Sequence, residues 1–237
     1  MIFNGEFDLL IDRFIESKNV LRQMSNYKFE DCKKLFVHIG KRLNKGVYDV
    51  DKGNEYVIDN IIHWLLCEPF IANNPHEMIN PNSTIIGDIN KGLYIAGQTG
   101  TGKTLMTKII NILSQSLDIR YLSGNINHPF SFALVDADAI TDTYLHTGDI
   151  TKYKHMHLLC IQDLGREPAE VTYMGTKCDV LRSVIESRAD NDVMTIITSN
   201  LPFTSDVFEE RYGDRVVSRL HQMCNYFILN YRDYRKK

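Results

Sequence analysis

The sequence lacks the features of secreted, membrane-spanning and disordered proteins. Its five cysteines are odd in number and form no CxxC or CxxxxC pair, which argues against a disulfide framework and a zinc site. It has no apolar run near the ~18 residues of a membrane-spanning helix, and its first residues carry no basic segment typical of a signal peptide. Since 27 basic residues oppose 30 acidic ones, it also lacks an excess of positive charge. We therefore expect a cytoplasmic protein without a membrane partner, in which any nucleic-acid site is a local basic patch.

The composition that remains is that of an ordinary globular protein. Hydrophobic residues make up 43% of the 237 residues and charged residues 24%, so the chain can bury a sizeable core. Apolar residues recur at helical spacing over residues 6–45 and 54–67, and Asn54 is the expected N-cap of the second stretch. The stretch 69–90 is rich in Asn, Pro and Gly, which predicts a linker. We therefore expect a small N-terminal helical region with a linker over residues 1–84.

Beyond the predicted linker, short apolar runs alternate with helical patterns. The predicted strands are 92–96, 132–136, 158–161, 194–198 and 226–230. The predicted helices are 104–117, 137–145, 177–188 and 208–223. Alternation of this kind predicts an α/β domain over residues 85–237, in which a parallel sheet carries helices on both faces.

A phosphate-binding loop joins the first of these strands to the first of these helices. The pattern G-x-x-x-x-G-K-[ST] is matched in full by Gly97, Gln98, Thr99, Gly100, Thr101, Gly102, Lys103 and Thr104. The glycines let backbone amides approach phosphates, and the N-terminus of the following helix presents free N–H groups to an anion. Lys103, expected at the surface of a cleft, adds positive charge, and the Thr104 hydroxyl can bind Mg²⁺. The loop therefore predicts a P-loop site for ATP and Mg²⁺.

A second nucleotide motif is predicted at the end of the strand in Leu158–Gly165. This segment has the form of a Walker B strand, which delivers carboxylates to the metal and to the attacking water. A full motif has two adjacent acids, but this chain has Gln162 followed by Asp163, and a Gln offers only its carbonyl oxygen. Either Asp163 holds the metal and its waters, or Asp163 acts as base while Gln162 substitutes poorly. Glu167 is a candidate second acid, and slow hydrolysis is expected; the alternative is an ordinary core strand with a capping Asp.

Three further residues are candidates for catalysis. Asn200 follows a β-branched strand whose carboxyl end points to the nucleotide crevice, so it could orient the attacking water; alternatively it is a turn residue. Arg215 and Arg219 are four residues apart and share one helical face. An arginine given to a neighbour's γ-phosphate stabilises the charge of phosphoryl transfer. The alternative is a solvated basic stripe paired with Glu209 or Glu210.

Two stretches are locally basic and contain aromatic residues. Residues 211–237 carry a net charge of +5 and residues 28–45 a net charge of +4. Such patches suit contacts to a phosphate backbone, and Tyr226, Tyr231 and Tyr234 could stack on unpaired bases. The alternative is a solvated, charged tail.

Together these residues resemble the AAA+ ATPases of the initiator and helicase-loader group, and most closely the DnaC/IstB-like family. Gly97–Thr104 matches the Walker A motif of that family. Leu158–Gly165 is similar to its Walker B motif, with Gln162 at the position of the first acid. Thr198–Leu201 is similar to its sensor 1 segment, in which Asn200 takes the polar position.

The resemblance extends to the C-terminal part of the chain. Tyr212–Leu220 resembles the arginine-finger segment, with Arg219 as the finger and Arg215 as its partner. Residues 230–235 resemble the Trp-x-Ser-Tyr-Arg ending of bacterial helicase loaders. Only 17 residues follow Leu220, too few for the helical lid of most AAA+ proteins, and a missing lid is typical of this branch.

The resemblance implies an oligomeric ATPase that assembles through the arginine finger. It implies a DnaC-like replication protein that loads or remodels a replicative helicase on single-stranded DNA. The alternatives are an IstB-like transposition helper, whose partner is a transposase, and a nucleotide-gated adaptor with little hydrolysis. Residues 1–84 would contact the helicase or the transposase. Residues 137–157, with Lys152, Tyr153 and Lys154, would line a central channel for the DNA strand.

Overall fold

The computed structural model describes residues 21–22, 26–77, 83–123, 126–229 and 233–234. The predicted helix before residue 21, Tyr231 and the last three residues lie outside the described residues. Within the described residues, no helix has the length and apolarity needed to cross a membrane. The helices are α1 (Phe29–Leu43), α2 (Glu55–Leu66), α3 (Lys103–Ser116), α4 (Ala137–Thr147), α5 (Thr151–His155), α6 (Val180–Asp190), α7 (Asp206–Tyr212) and α8 (Asp214–Met223).

The strands of the described residues form one large sheet and two small ones. They are β1 (Leu21–Arg22), β2 (Ile71–Asn73), β3 (Thr84–Ile86), β4 (Gly92–Gly97), β5 (Arg120–Ser123), β6 (Ile126–Pro129), β7 (Ala133–Asp136), β8 (Leu159–Leu164), β9 (Val171–Tyr173), β10 (Thr176–Cys178), β11 (Thr195–Ser199) and β12 (Cys224–Leu229). The seven-stranded sheet has the order β3-β2-β12-β4-β11-β8-β7, and its last five strands are parallel. A three-stranded sheet has the order β1-β5-β6, and β9 pairs with β10 in a hairpin.

Helices cover both faces of the large sheet, as the alternating pattern predicts. Successive residues of a strand point to opposite faces, so Leu93 and Ile95 of β4 lie in a core that they share with buried residues of α1, α2 and α3. Tyr94 and Ala96 point the other way, into a core formed with α4, α6, α7 and α8. All four of these residues are buried, as expected for a central parallel strand.

The segment predicted as a linker instead contributes two strands to the large sheet. β2 pairs with β12 and β3 pairs with β2, both antiparallel, so residues 71–73 and 84–86 extend the sheet at one edge. The preceding helices share one core with the P-loop helix, since Phe36 of α1 and Trp64 of α2 are fully buried in that core. The division of the chain at residue 84 stays a prediction.

Two boundaries differ from the sequence pattern for local reasons. The predicted helix over 208–223 is two helices, because Gly213 adopts a φ of +83° between α7 and α8. The predicted helix over 177–188 begins at Val180, because the preceding residues pair in the β9–β10 hairpin. After α8, the described residues form β12 and the segment 233–234, with no further helix.

Candidate nucleotide-binding site

The phosphate-binding loop runs from the end of β4 to the first turn of α3. Gly100 and Gly102 have φ values of +86° and +90°, in the left-handed region that favours glycine. Thr101 is buried, and its hydroxyl and amide donate to the Gln98 carbonyl at 2.8 and 3.3 Å. The loop therefore folds back on itself and ends at the N-terminus of α3, where the first N–H groups lack helical partners.

Lys103 is the first residue of α3, and its ammonium group is held inside the loop. Its Nζ donates to the carbonyl oxygens of Gly97 at 2.6 Å and Gln98 at 3.0 Å. It also donates to Asn200 Oδ1 at 2.8 Å, which joins the loop to the residue after the neighbouring strand β11. Only 5% of Lys103 is exposed, so this lysine is more buried than expected for a residue at the surface of a cleft.

Strand β8 is irregular where it ends beside β11. The pairing register shifts between Ile197 and Ser199, so that Gln162 and Asp163 together lie opposite Thr198 in a β-bulge. Asp163 has a φ of +56°, and its amide donates to Thr198 Oγ1 at 3.0 Å. A non-glycine residue in this region stores strain of about 1–3 kcal/mol, and such strain clusters at functional sites.

The two polar residues of the bulge have different surroundings. Gln162 is buried, and its Nε2 donates to Thr107 Oγ1 at 2.8 Å, on the second turn of α3. Asp163 is partly exposed and forms an ion pair with Arg166 at 3.2 Å. Among the residues that the structure describes, Asp163 and not Gln162 lines the cavity above the loop.

Glu167 is not a second acid of this cavity, contrary to expectation. Its side chain is 1% exposed and points away from solvent. One carboxylate oxygen accepts from the Gly165 amide at 2.9 Å. The other accepts from the Tyr212 hydroxyl and from Arg211 Nη2, at 3.2 Å for the arginine. Because Glu167 does not line the cavity and both of its oxygens already accept hydrogen bonds, it is not placed to hold a metal or a water there.

A cavity of about 960 Å³ lies over the phosphate-binding loop. It brings together seven of the predicted residues, namely Thr99, Gly100, Gly102, Lys103, Thr104, Asp163 and Asn200. Among the described residues, four cationic side chains and one carboxylate line it, which favours a polyanionic ligand. Sequence reasoning did not assign the following lining residues to a nucleotide site: Leu43, Asn44, Lys45, Val47, Leu105, Lys108, Arg166 and Tyr234.

Arg215 and Arg219 lie on α8 and do not line this cavity. Arg219 forms an ion pair with Asp190 of α6 at 2.6 Å and donates to Gln222 Oε1 at 3.1 Å. Arg215 lies 3.7 Å from Glu186, also on α6. The two arginines therefore share one face, as their spacing predicts, but their acidic neighbours are on α6 and not at residues 209 and 210.

Two aromatic residues assigned to nucleic acid are buried. Tyr226 is 3% exposed inside the central strand β12, so it cannot stack on a base. Tyr153 is 5% exposed, and its hydroxyl lies 3.0 Å from Thr143 Oγ1, so it cannot line a channel. Tyr234 instead lines the cavity, and its amide donates to Gly100 O at 3.1 Å.

Comparison with known proteins finds similar folds. No family model matches the chain, and no curated protein matches it. The crystal structure of DnaI matches with a TM-score of 0.51 and 17% identity, over 80% of this chain and 88% of that one. The crystal structure of the DnaC helicase loader matches with a TM-score of 0.48 and 20% identity, over 77% and 93%. AMPPCP-bound DnaA from Aquifex aeolicus matches with a TM-score of 0.45 and 17% identity, over 76% and 48%.

The likeness to DnaI is a likeness of fold. It agrees with a mostly parallel sheet whose strand β4 leads through a phosphate-binding loop into α3. It also agrees with the motifs at Gly97–Thr104 and Leu158–Gly165, from which the fold class was predicted. The chain therefore has the P-loop fold of AAA+ type that the DnaI structure shares.

Proposed function

We propose that the chain binds ATP with Mg²⁺ in the cavity above the phosphate-binding loop and hydrolyses it. One observation carries this proposal: Lys103, Asp163 and Asn200, from three separate segments, meet around one cavity at the N-terminus of α3. A cation, a carboxylate and an amide around a helix N-terminus are the groups that phosphoryl transfer needs. The volume of the cavity, about 960 Å³, is also large enough for a nucleotide.

The loop supplies the phosphate contacts in this proposal. Gly102 has open space where a side chain would lie, which leaves its backbone accessible to a phosphate oxygen. The ammonium of Lys103 holds the Gly97 and Gln98 carbonyls, and phosphate oxygens would replace these partners. Thr104 and Asp163 both line the cavity and carry the oxygen ligands that Mg²⁺ prefers, so they would hold the metal. When bound, Mg²⁺ neutralises charge on the phosphates.

The base fits a second, smaller cavity beside the first. This cavity measures about 200 Å³ and shares Asn44, Val47, Gly102, Leu105 and Tyr234 with the larger one. Its walls combine apolar side chains with polar groups of the segment before α2, which suits a flat aromatic ring with hydrogen-bonding edges. The N-terminal region would thereby contribute to the nucleotide site.

Asp163 and Asn200 would act on the attacking water, and Arg219 would act on a neighbouring subunit. Asp163 is the acid of the bulge that lines the cavity, whereas Gln162 is committed to Thr107. Arg219 pairs with Asp190 outside its own cavity, so contact with a γ-phosphate requires the site of another copy. We therefore propose self-association through Arg219, with Arg215 as its partner.

The biological role proposed for this ATPase is to load or remodel a replicative helicase on single-stranded DNA. It follows from the resemblance of the motifs to the DnaC/IstB-like family and from the fold. The solved structure named for the DnaC helicase loader is 20% identical to this chain. A transposition helper acting on a transposase has the same motifs. A nucleotide-gated adaptor with little hydrolysis is favoured by one observation, the neutral Gln162 at the first acid position.

Steady-state ATP turnover by the purified full chain, with and without single-stranded DNA, separates an ATPase from an adaptor. The proposal predicts Mg²⁺-dependent turnover that DNA changes and that Asp163→Asn abolishes. Asp31→Asn is the matched control, because Asp31 is an exposed carboxylate of α1 that does not line the cavity. Nucleotide binding without turnover in the wild type would favour the adaptor instead.

A second measurement tests the role in helicase loading. Assembly of a purified replicative helicase on single-stranded DNA is followed with and without this chain and ATP. The proposal predicts faster assembly that requires Lys103. No effect on the helicase, together with ATP-dependent binding to a purified transposase, would favour the transposition helper.

A further inference from the structure

Glu167 is a buried carboxylate that the proposed chemistry does not use. Three donors surround it: the Gly165 amide, the Tyr212 hydroxyl and Arg211 Nη2. A buried carboxylate is expensive unless all its lone pairs are engaged, and an apolar residue of similar size would fill the same space. An apolar residue would avoid the free-energy cost of a buried charge, so a carboxylate at position 167 indicates that hydrogen bonds in specific directions are needed there.

The bonds of Glu167 join two segments that are far apart in sequence. On one side is the turn that follows Asp163, because Gly165 comes two residues after the acid. The same turn is fixed to β11, where Ser199 Oγ donates to Leu164 O at 2.7 Å. On the other side is α7, whose last residue is Tyr212. Glu167 is therefore the contact between the Asp163 turn and α7.

Helix α7 leads directly into the helix that carries the two arginines. Gly213 separates Tyr212 from α8, and both helices pack in the same core. Arg211 strengthens the contact, since it also lies 3.5 Å from Asp179 and covers the Tyr212 ring at 4.6 Å. A displacement of the Asp163 turn would therefore be transmitted to α8 through Glu167 and Tyr212, which directly precedes Gly213 and α8.

The protonation state of Tyr212 is fixed by its surroundings. Burial and the adjacent Glu167 carboxylate raise the pKa of Tyr212 far above its ordinary value. The phenol therefore keeps its proton and donates a hydrogen bond to Glu167. A charge-assisted hydrogen bond of this kind is directional and stronger than a neutral one.

We infer that Glu167 is a positioning residue, which through the Tyr212 hydroxyl couples the turn carrying Asp163 to the helix carrying Arg215 and Arg219. This inference rests on the proposed ATPase function. The position of Asp163 in one subunit is then linked to the positions of Arg215 and Arg219, which the same subunit presents to its neighbour. Because coupling is reciprocal, nucleotide binding in the cavity changes the position of the two arginines, and assembly through these arginines changes the position of Asp163.

Tyr212→Phe tests this coupling because it removes one hydroxyl and keeps the ring. The ring packs against Phe208 at 4.5 Å, and the variant leaves the bond between Glu167 and Gly165 in place. The expected result is a fall in kcat of about tenfold, since a hydrogen bond to a charged group contributes on that scale. The affinity for ATP should change by less than about twofold, because Tyr212 does not line the cavity.

The matched control is Tyr226→Phe. Tyr226 is a buried tyrosine of the same core, with its ring 4.8 Å from Phe203, and it has no bond to Glu167. A merely structural role predicts that Tyr212→Phe loses stability without a selective loss of kcat. Urea unfolding of both variants separates lost stability from lost coupling.

A double variant tests whether the link acts through α8. Arg215→Ala is expected to retain measurable turnover, so its combination with Tyr212→Phe can be compared with each single change. If the coupling acts through α8, the fold decrease in kcat of the double variant should be smaller than the product of the fold decreases of the two single variants. A product of independent effects, or a Tyr212→Phe kcat equal to that of Tyr226→Phe, overturns the positioning role alone. A wild-type chain without turnover overturns the proposed ATPase function as well, and this is seen before any variant is compared.

Discussion

Replacing Lys103 by alanine should abolish the response of the protein to ATP. In the structure the Lys103 ammonium donates to Gly97 O at 2.6 Å, to Gln98 O at 3.0 Å and to Asn200 Oδ1 at 2.8 Å. The variant removes the only charge held inside the loop among the described residues. It therefore removes both a phosphate ligand and a bond that ties the loop to the strand beside it.

The expected effects can be worked out for both states of the protein. Leaving buried acceptors without their charged donor costs about 1–3 kcal/mol, so Lys103→Ala should also be less stable without nucleotide. Ligand at about 100 times its Kd stabilises the wild type by about 2.7 kcal/mol. For a chain of this size each kcal/mol raises Tm by about 2–4 °C, so the expected shift with ATP is about 5–11 °C.

Thermal unfolding with and without Mg²⁺ and ATP measures both effects in one experiment. Lys41→Ala is the matched control, because Lys41 is an exposed lysine of α1 that does not line the cavity. The control should keep the full shift, and Lys103→Ala should show a lower Tm and no shift. A Lys103→Ala protein that keeps the wild-type shift would refute the assignment of the phosphate site.

Three further predictions follow from individual contacts. Gln162→Asp should raise turnover at saturating ATP by about tenfold, equivalent to about 1.4 kcal/mol of barrier. The reason is that the change removes the hydrogen bond to Thr107 and restores a carboxylate at this position. An unchanged rate in a kinetic assay would indicate that Asp163 alone holds the metal. Arg219→Ala and Lys103→Ala should each be inactive, yet a mixture should recover ATP turnover that rises with protein concentration; an inactive mixture of folded, co-assembled variants would contradict a role in trans. Arg188→Met should lower the free energy of unfolding in urea by about 1–3 kcal/mol, because the fully buried guanidinium donates to one hydroxyl and three carbonyl groups; an unchanged midpoint would refute this.

The parts of the fold predicted from sequence are those encoded over short distances. The loop Gly97–Thr104 is a contiguous motif, and strands such as β4, β8 and β11 are apolar runs buried on both faces. The strands β2 and β3 are not predicted, because each has three residues and lies among Asn and Pro residues that are typical of loops. They form by long-range pairing, since β2 pairs with the distant strand β12 and β3 pairs with β2.

The parts of the candidate site missed from sequence depend on long-range contacts. Tyr226 was assigned to a basic tail, but burial in the central strand β12 overrides the charge of its surroundings. The closeness of Glu167 to Asp163 in sequence predicts a second acid, whereas the hydrogen-bond partner of Glu167, Tyr212, lies 45 residues away in sequence. Residues such as Val47 reach the cavity only because α1 packs on α3. No local pattern carries this information.

Single-turnover hydrolysis of ATP by the full chain tests the central claim most directly. Excess protein is mixed with radiolabelled ATP and Mg²⁺, and phosphate release is followed for the wild type and Asp163→Asn. Binding of a fluorescent ATP analogue is measured on the same samples. The account predicts that both proteins bind the analogue and that only the wild type releases phosphate. Phosphate release by Asp163→Asn at the wild-type rate, or a wild type that binds no nucleotide, would contradict it.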